Sequence, residues 1–213
     1  MSMSLEKVIL EEIRPGVIHL DFPTQELMAM TFLRFQEYYE SPEFRGRVFT
    51  REEFERWYIE KRGSFSYAQD WPGFNIPSEI LRPFYDGRFD PLSAEEKEFL
   101  QLFRGRKEPF YIIGTSKGNP SEYMDHELAH ALFSTNKGYK SDVMEIISLI
   151  PRADLKEFWD MINIGYHESV MVDEVQAHFV ANFDELVREG LSEEKFGVTQ
   201  KNILGIYNRH LKL

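Results

Sequence analysis

The stretch His126-Glu127-Leu128-Ala129-His130 is the part of this chain from which its fold is best interpreted. It follows the pattern His-Glu-x-x-His, in which two histidines four positions apart lie on one face of an α-helix and bind one zinc ion. The glutamate is rotated about 100° from the first histidine, so it can contact a water on that metal. The pattern predicts His126 and His130 as zinc ligands and Glu127 as general base. The alternative is two surface histidines on an ordinary helix.

The residues on either side of the pattern predict that it lies within a helix. Asn119-Pro120-Ser121-Glu122 provides an N-cap, a proline at the first helical position and a glutamate at the third. Asn136-Lys137-Gly138 provides a stop. The apolar run Phe110-Tyr111-Ile112-Ile113-Gly114-Thr115 predicts a strand before this helix. A strand followed by a capped helix is the context that the zinc pattern requires.

A third metal ligand must come from elsewhere, because catalytic zinc sites have three protein ligands and a water. A long helix predicted from about Glu168 to Arg188 contains the best candidate, Glu174. This helix is apolar on two opposite sides, which indicates burial on both. A buried glutamate is costly unless it is paired or bound to a metal. The alternatives are a solvated glutamate, a structural ion pair, or His178 as the ligand in its place.

These motifs together resemble those of a known clan. His126-Glu127-x-x-His130, followed on a later helix by Asp173-Glu174-x-x-Ala177, resembles the gluzincin metallopeptidases, and most closely the small single-domain minigluzincins. The resemblance covers about residues 110–182. It implies a zincin-like fold, zinc (Zn2+) as cofactor, Glu174 as third ligand and a peptide or protein substrate. In the neprilysin-like branch an aspartate four residues after the ligand glutamate supports a zinc-bound histidine, and this chain has His178 there.

Peptide hydrolysis of this kind also needs a donor for the developing oxyanion. Tyr166 and His167, a few residues before Glu174, are the candidates, with Tyr207 and His210 behind them. For each of them, an ordinary packing or surface role is the alternative. The strand before the motif helix resembles the zincin edge strand, which implies that an extended substrate pairs with it.

The rest of the chain predicts an α+β fold. Val8 to Ile13 and Val17 to Phe22 predict a hairpin, and helices are expected after Thr24, Thr50 and Ser93. The Gly-, Pro- and aromatic-rich stretch 63–91 is expected to be an ordered irregular wrap. We therefore expect a zincin-like, mostly helical fold with a small mixed sheet whose edge strand precedes the motif helix. Residues 1–109 are expected to form the hairpin, helices and wrap, and residues 110–213 the catalytic region.

Composition excludes several classes of protein. The chain has 213 residues, no cysteine and a formal net charge of −11, which excludes thiolate zinc sites and cysteine nucleophiles and disfavours binding to nucleic acid. No signal peptide or membrane-length apolar run is found in the sequence, so a cytoplasmic protein that does not bind membranes is expected.

Two further hypotheses remain open at this point. The chain is a catalytically silent or latent zincin-like scaffold that acts by binding a partner, since a site motif specifies geometry and not turnover. Alternatively, its own C-terminal segment from Thr199 occupies the substrate groove. This segment is expected to be a helix that frays after Gly205.

Overall fold

The structure is a computed structural model that describes residues 5–117, 121–162 and 166–212, without the side chains of Ser121 and Glu122. The fold is α+β, as predicted, and it divides into two compact units, Met1–Asn119 and Pro120–Leu213. The expected boundary after residue 109 lies ten residues before this division. The reason is that the strand Tyr111–Ser116 hydrogen-bonds within the sheet of the first unit.

The described residues of the first unit form four strands and five α-helices, and three of these helices begin at residues that the sequence marks as caps. The strands and helices are, in chain order, β1 (Ile9–Arg14), β2 (Val17–Phe22), α1 (Gln25–Glu40), α2 (Arg51–Arg62), α3 (Tyr67–Asp70), β3 (Gly73–Pro77), α4 (Arg82–Tyr85), α5 (Ala94–Phe103) and β4 (Tyr111–Ser116). The side chains of Thr24, Thr50 and Ser93 each accept a backbone N–H three residues later, which stabilises the starts of α1, α2 and α5. The predicted hairpin and these three helices are confirmed.

The sheet corrects one prediction about the strand before the motif helix. Its order is β1-β2-β4-β3, with β1 and β2 antiparallel, β4 parallel to β2, and β3 antiparallel to β4. β4 is therefore an inner strand, and its assignment as the edge strand is wrong. The cause is β3, which forms within the stretch expected to be irregular and hydrogen-bonds to the other side of β4. With both sides paired, β4 has no free edge for an extended substrate.

Helix α1 packs closely against one face of this sheet. α1 packs against β2, β3 and β4, and the side chain of Phe32 crosses above Gly114 in β4. A Cβ atom at position 114 would lie 2.5 Å from Phe32 Cε2, so only glycine fits there. Phe32 also stacks on Phe74 and meets Phe99 edge-on, with ring centroids 5.4 and 5.1 Å away. The aromatic side chains in this part of the core can therefore pack closely because position 114 is a glycine.

A buried ion pair completes this core. The side chains of Arg34 and Glu96 are 7% and 4% exposed. Arg34 Nε donates to Glu96 Oε1 at 2.6 Å, its Nη2 donates to Glu96 Oε2, and its Nη1 donates to the Phe89 carbonyl at 3.0 Å. Glu96 Oε2 also accepts the Ser93 backbone N–H at 2.8 Å. Both charges therefore have several partners, as burial of an ion pair requires.

The second unit contains helices and connecting turns, with no strand among its described residues. Its helices are α6 (Ser121–Thr135), α7 (Lys137–Ser148), α8 (Arg152–Ile162), α9 (Met171–Ala181), α10 (Phe183–Arg188) and α11 (Glu193–Leu211). The motif helix is present as α6, and its expected cap at Asn119 and Pro120 lies outside the described residues. The long helix expected from Glu168 to Arg188 is a 3-10 turn, Glu168–Val170, followed by α9 and α10 with a break at Asn182.

The C-terminal helix belongs to the core of this unit. α11 continues through Gly205 to Leu211, so the expected fraying is wrong. The helix is held by its buried face, because Ile203, Ile206 and Tyr207 join the apolar core. Neither α11 nor another helix in the described ranges is long and apolar enough to cross a membrane.

Candidate metal site

The candidate site lies where α6 packs against α9 in the second unit. α6 carries His126 and His130, and α9 carries Glu174. Glu174 is 2% exposed, and Val175, Ala177 and Phe179 on other sides of the same helix are fully buried. The predicted burial of this helix on both sides is confirmed. Its consequence is that the glutamate faces α6 without access to bulk water.

The donor atoms of the three predicted ligands converge. His126 Nε2 and His130 Nε2 are 3.1 Å apart, Glu174 Oε2 is 3.9 Å from His126 Nε2, and Glu174 Oε1 is 3.7 Å from His130 Nε2. Ligands of a tetrahedral zinc ion with bonds of about 2.0 to 2.1 Å lie about 3.3 Å from one another. The observed separations bracket that value. One small cation between these atoms would contact all three groups.

Each histidine is oriented from behind by an oxygen acceptor. Asn182 Oδ1 lies 3.0 Å from His126 Nδ1, and Asp173 Oδ1 lies 2.8 Å from His130 Nδ1. Because these oxygens accept, both Nδ1 atoms carry the proton, and in the neutral rings both Nε2 lone pairs face each other. Two lone pairs at this distance repel unless a proton or a metal ion lies between them. Oxygen partners behind histidine ligands are the usual arrangement in metal sites.

A buried hydrogen-bond chain extends behind His130. Asp173 Oδ1 also accepts from Gln176 Nε2 at 3.1 Å, and Gln176 Oε1 accepts from the Tyr139 hydroxyl at 2.6 Å. Gln176 and Tyr139 are fully buried. The chain therefore fixes Asp173 in place, and with it the ring of His130.

Two polar atoms at the site lack the partners that buried groups normally have. Among the described residues, Glu174 Oε2 and His178 Nδ1 are buried without a hydrogen-bond partner. Leaving a buried polar atom unsatisfied costs about 1 to 3 kcal/mol, and native structures contain few such atoms. A cation at the point of convergence would supply the missing partner of Glu174. The unsatisfied oxygen of Glu174 is thus evidence for a metal ion that does not depend on the sequence motif.

The electrostatics also indicate a missing positive charge. Burial raises the pKa of Glu174 to about 8, although His130 lowers it, and Asp173 and Glu127 raise it further. Burial lowers the pKa of His130, but Asp173 and Glu174 outweigh this effect and raise it to about 10. Without a metal, His130 therefore takes up a proton to balance the carboxylates. A divalent cation would supply that charge more fully.

His126 and His178 are held neutral. Burial, together with His130 and His178, lowers the pKa of His126 well below 6.5. Burial, followed by the effect of His130, lowers the pKa of His178 to about 4. Neutral imidazoles are the form that binds metals. Both rings can therefore bind a metal ion at neutral pH.

The general base candidate, Glu127, lies in the same region. It is 6% exposed on α6 and is close enough to raise the pKa of both His130 and Glu174. Three carboxyl groups, those of Glu127, Asp173 and Glu174, thus surround His130. Their combined potential attracts a cation.

The other candidates have different surroundings. His167 caps the 3-10 turn, with Nδ1 accepting the Ser169 backbone N–H at 3.2 Å. The Tyr166 ring packs beside Trp159 of α8, with centroids 6.4 Å apart. The Tyr207 hydroxyl donates to Asp125 at 2.9 Å, and His210 Nε2 lies 3.2 Å from Asp142. These contacts explain packing and capping, and an oxyanion-binding role for Tyr166 and His167 remains a prediction.

The supporting roles of three residues at the site were not predicted from the sequence. Asp173 and Asn182 hold the two histidines, and Gln176 holds Asp173. Metal-binding histidines usually have an oxygen acceptor behind them. A search of the sequence for such acceptors near Glu174 would therefore have found Asp173. Asn182 gives no comparable signal, because its role depends on the helix break that places it.

One more histidine belongs to this cluster. One ligand atom each from His126, Glu174 and His178 lie within 4.8 Å of one another, and this group could hold a metal ion. The His126 and His178 rings meet edge-on with centroids 4.9 Å apart. His178 therefore lies beside the candidate metal site, a possibility that the sequence left open.

Comparison with family models, curated proteins and solved structures found no match for this chain. The site must therefore be interpreted from its own geometry. What that geometry defines is an α+β chain with a candidate metal-binding cluster in its helical unit.

Proposed function

We propose that this chain is a zinc-dependent peptidase of the gluzincin type with a zincin-like fold, in which His126, His130 and Glu174 hold the metal. The observation that carries the proposal is the convergence of two Nε2 atoms and one carboxylate at 3.1 to 3.9 Å, with both rings oriented from behind. A pair of surface histidines would have neither the burial nor the oxygen partners.

The donor set favours zinc over other ions. Two imidazoles and one carboxylate are the ligands of several catalytic zinc sites, whereas calcium and magnesium prefer oxygen ligands alone. The chain has no cysteine, so thiolate-dependent metals have no ligands here. Within the described residues, the negative surroundings of His130 add a general attraction for divalent cations.

The roles of the residues follow from their positions. A zinc ion held there would act as a Lewis acid that acidifies water and polarises a peptide carbonyl. Glu127 would take the proton from the attacking water and pass it to the leaving amine. Asp173 and Asn182 would keep the His130 and His126 rings in the tautomer that presents Nε2. Tyr166 and His167 are retained as candidate oxyanion donors.

The test has two parts. Metal analysis of the purified full chain should find one equivalent of zinc. Zinc-loaded protein should cleave unfolded casein or a peptide library, and Glu127→Gln should lower turnover by about 100-fold or more while zinc remains bound. Glu145→Gln on the exposed face of α7 is the matched control and should not change turnover. Unchanged cleavage by Glu127→Gln would exclude Glu127 as the base.

A second candidate function is a zincin-like scaffold that keeps its metal and acts by binding a partner. The burial of the ligands favours it, because the side chains of His126, His130 and Glu174 are 14%, 2% and 3% exposed. A substrate carbonyl must reach the metal in a peptidase. Stoichiometric zinc without cleavage of any peptide in the library would select this function.

A further inference from the structure

His178 lies on the same face of α9 as Glu174. The two residues are four positions apart, so one helical turn places both side chains toward α6. A ligand atom of His178 lies within 4.8 Å of ligand atoms of His126 and Glu174. The ring of His178 is thus beside the metal site, and its backbone is held by the packing that holds Glu174.

The surroundings of His178 give it no structural task. Its Nδ1 is buried, and no described residue forms a hydrogen bond with it. His126, the nearest ring, is already oriented by Asn182 at 3.0 Å, so a residue at position 178 is not needed for that purpose. A buried nitrogen without a partner is costly unless a ligand satisfies it. The same deficiency affects Glu174 Oε2 in the same cluster.

We propose that His178 is a fourth protein ligand of the metal, so that the resting site is closed by three imidazoles and one carboxylate. This inference rests on the metal site of the proposed function and describes its regulation. Structural zinc sites have four protein ligands, whereas catalytic sites keep one position open. A closed site is latent, and a water or a peptide carbonyl enters only when His178 leaves. Because the ligand atom of His178 lies within 4.8 Å of those of His126 and Glu174, a shift of at most about 1.5 Å brings it to tetrahedral separation from them.

The experiment uses cobalt(II) in place of zinc in the full-length chain. Visible absorption of the cobalt reports its coordination, and azide is the probe for an open position. We expect the wild-type spectrum to be four-coordinate and insensitive to azide. His178→Ala should bind cobalt at least about 10-fold more weakly, because an inner ligand is lost. Its spectrum should change on addition of azide.

Two further variants keep the interpretation clear. His19→Ala removes a histidine from the first unit and should leave the cobalt spectrum and affinity unchanged. His178→Leu opens the same position with a larger side chain that cannot bind a metal, in case the alanine variant does not fold. The wild-type measurement is a test that needs no variant, because an azide response of the wild-type protein would already overturn the proposal.

The outcomes separate this inference from the proposed function. If wild type and His178→Ala have the same spectrum and the same azide response, His178 is not a ligand, and the site of His126, His130 and Glu174 stands. If wild type binds no cobalt, both ideas fail. If only the variant responds to azide, His178 closes the site.

Discussion

Glu96 in the first unit and Glu174 in the second are equally inaccessible, at 3% and 2% exposure, but their partners differ. Glu96 receives hydrogen bonds from the Arg34 guanidinium and from a backbone N–H. Glu174 has two imidazoles at 3.7 to 3.9 Å and one oxygen without a hydrogen-bond partner among the described residues. Burial alone therefore does not distinguish a structural carboxylate such as Glu96 from a candidate metal ligand such as Glu174. The two side chains differ in whether both oxygens have hydrogen-bond partners.

The same substitution at these two positions should affect different properties, stability at Glu96 and zinc affinity at Glu174. Glu96→Gln should lower the free energy of unfolding by about 3 to 5 kcal/mol, because it leaves the Arg34 charge buried without an anion. Glu174→Gln in metal-free protein should change stability little, since the raised pKa of Glu174 already favours its neutral form. Its zinc affinity should fall by more than about 100-fold, because a direct ligand contributes more than a supporting residue.

Hydrogen exchange resolves the two units within one chain. Peptides from α1 and α5 should lose protection in Glu96→Gln, and peptides from α6 and α9 should keep it. Zinc affinity is measured by competition with a chelator. Equal destabilisation by both substitutions would remove the distinction between the two glutamates.

A half-buried carboxyl in the first unit, that of Glu37 on α1, extends this contrast. Burial raises its pKa from 4.5 to about 7, against the effect of the Tyr67 and Ser41 hydroxyls. The folded state therefore keeps a proton that the unfolded chain releases near pH 4.5. The stability contributed by this proton is present below that pH and is lost as pH rises through about 7. The protein that retains Glu37 should lose roughly 2 to 3 kcal/mol of unfolding free energy across this window. Glu37→Gln should not show this loss.

The measurement is urea denaturation at several pH values in a Trp159→Phe background. The remaining tryptophans, Trp57 and Trp71, both lie in the first unit, so their fluorescence reports on that unit. The difference in unfolding free energy between the Glu37→Gln variant and the protein that retains Glu37 should grow from pH 4.5 to 7. Parallel curves would show that Glu37 ionises normally in the fold.

The smallest effect is expected at Tyr139. Tyr139→Phe removes the hydroxyl that donates to Gln176, which loosens the chain to Asp173 and His130. Zinc affinity should fall by up to about 10-fold, the lower limit for supporting residues. The first unit offers a matched control in Tyr111→Phe, since the Tyr111 hydroxyl donates to a buried amide oxygen of Asn75.

Both tyrosine variants should lose a similar amount of stability, because each removes one buried hydrogen bond from a hydroxyl to an amide oxygen. Only Tyr139→Phe should also lose zinc affinity. Equal zinc titrations for Tyr139→Phe and Tyr111→Phe would mean that the chain behind His130 has a structural role alone.

Local features were predictable from the sequence, and features set by distant pairing were not. The caps at Thr24, Thr50 and Ser93 act through hydrogen bonds to residues three positions away, so a short window contains the whole cause. Gly73–Pro77 resembles a loop in composition and becomes β3 only because it pairs with β4. That one missed strand accounts for the wrong edge assignment.

The site residues also divide into those that local sequence predicts and those that depend on distant contacts. His126, Glu127 and His130 follow from one helical turn, and Glu174 from the apolar faces of its helix. Helical geometry also separates Asp173 from Glu174, which contact different nitrogens of His130. Asn182 could not be predicted, because the break between α9 and α10 that brings it to His126 is decided by tertiary packing.

The contacts that build the site connect parts of the chain that are far apart in sequence. His130 meets Asp173 across 43 positions, and His126 meets Asn182 across 56. An ion bound between α6 and α9 would cross-link this long loop, and unfolding of the second unit would have to release it. Free zinc at 100 times its dissociation constant would then add about 2.7 kcal/mol to the stability of that unit. We expect the resistance of the helical unit to proteolysis to rise with zinc supply, while the resistance of the first unit stays constant.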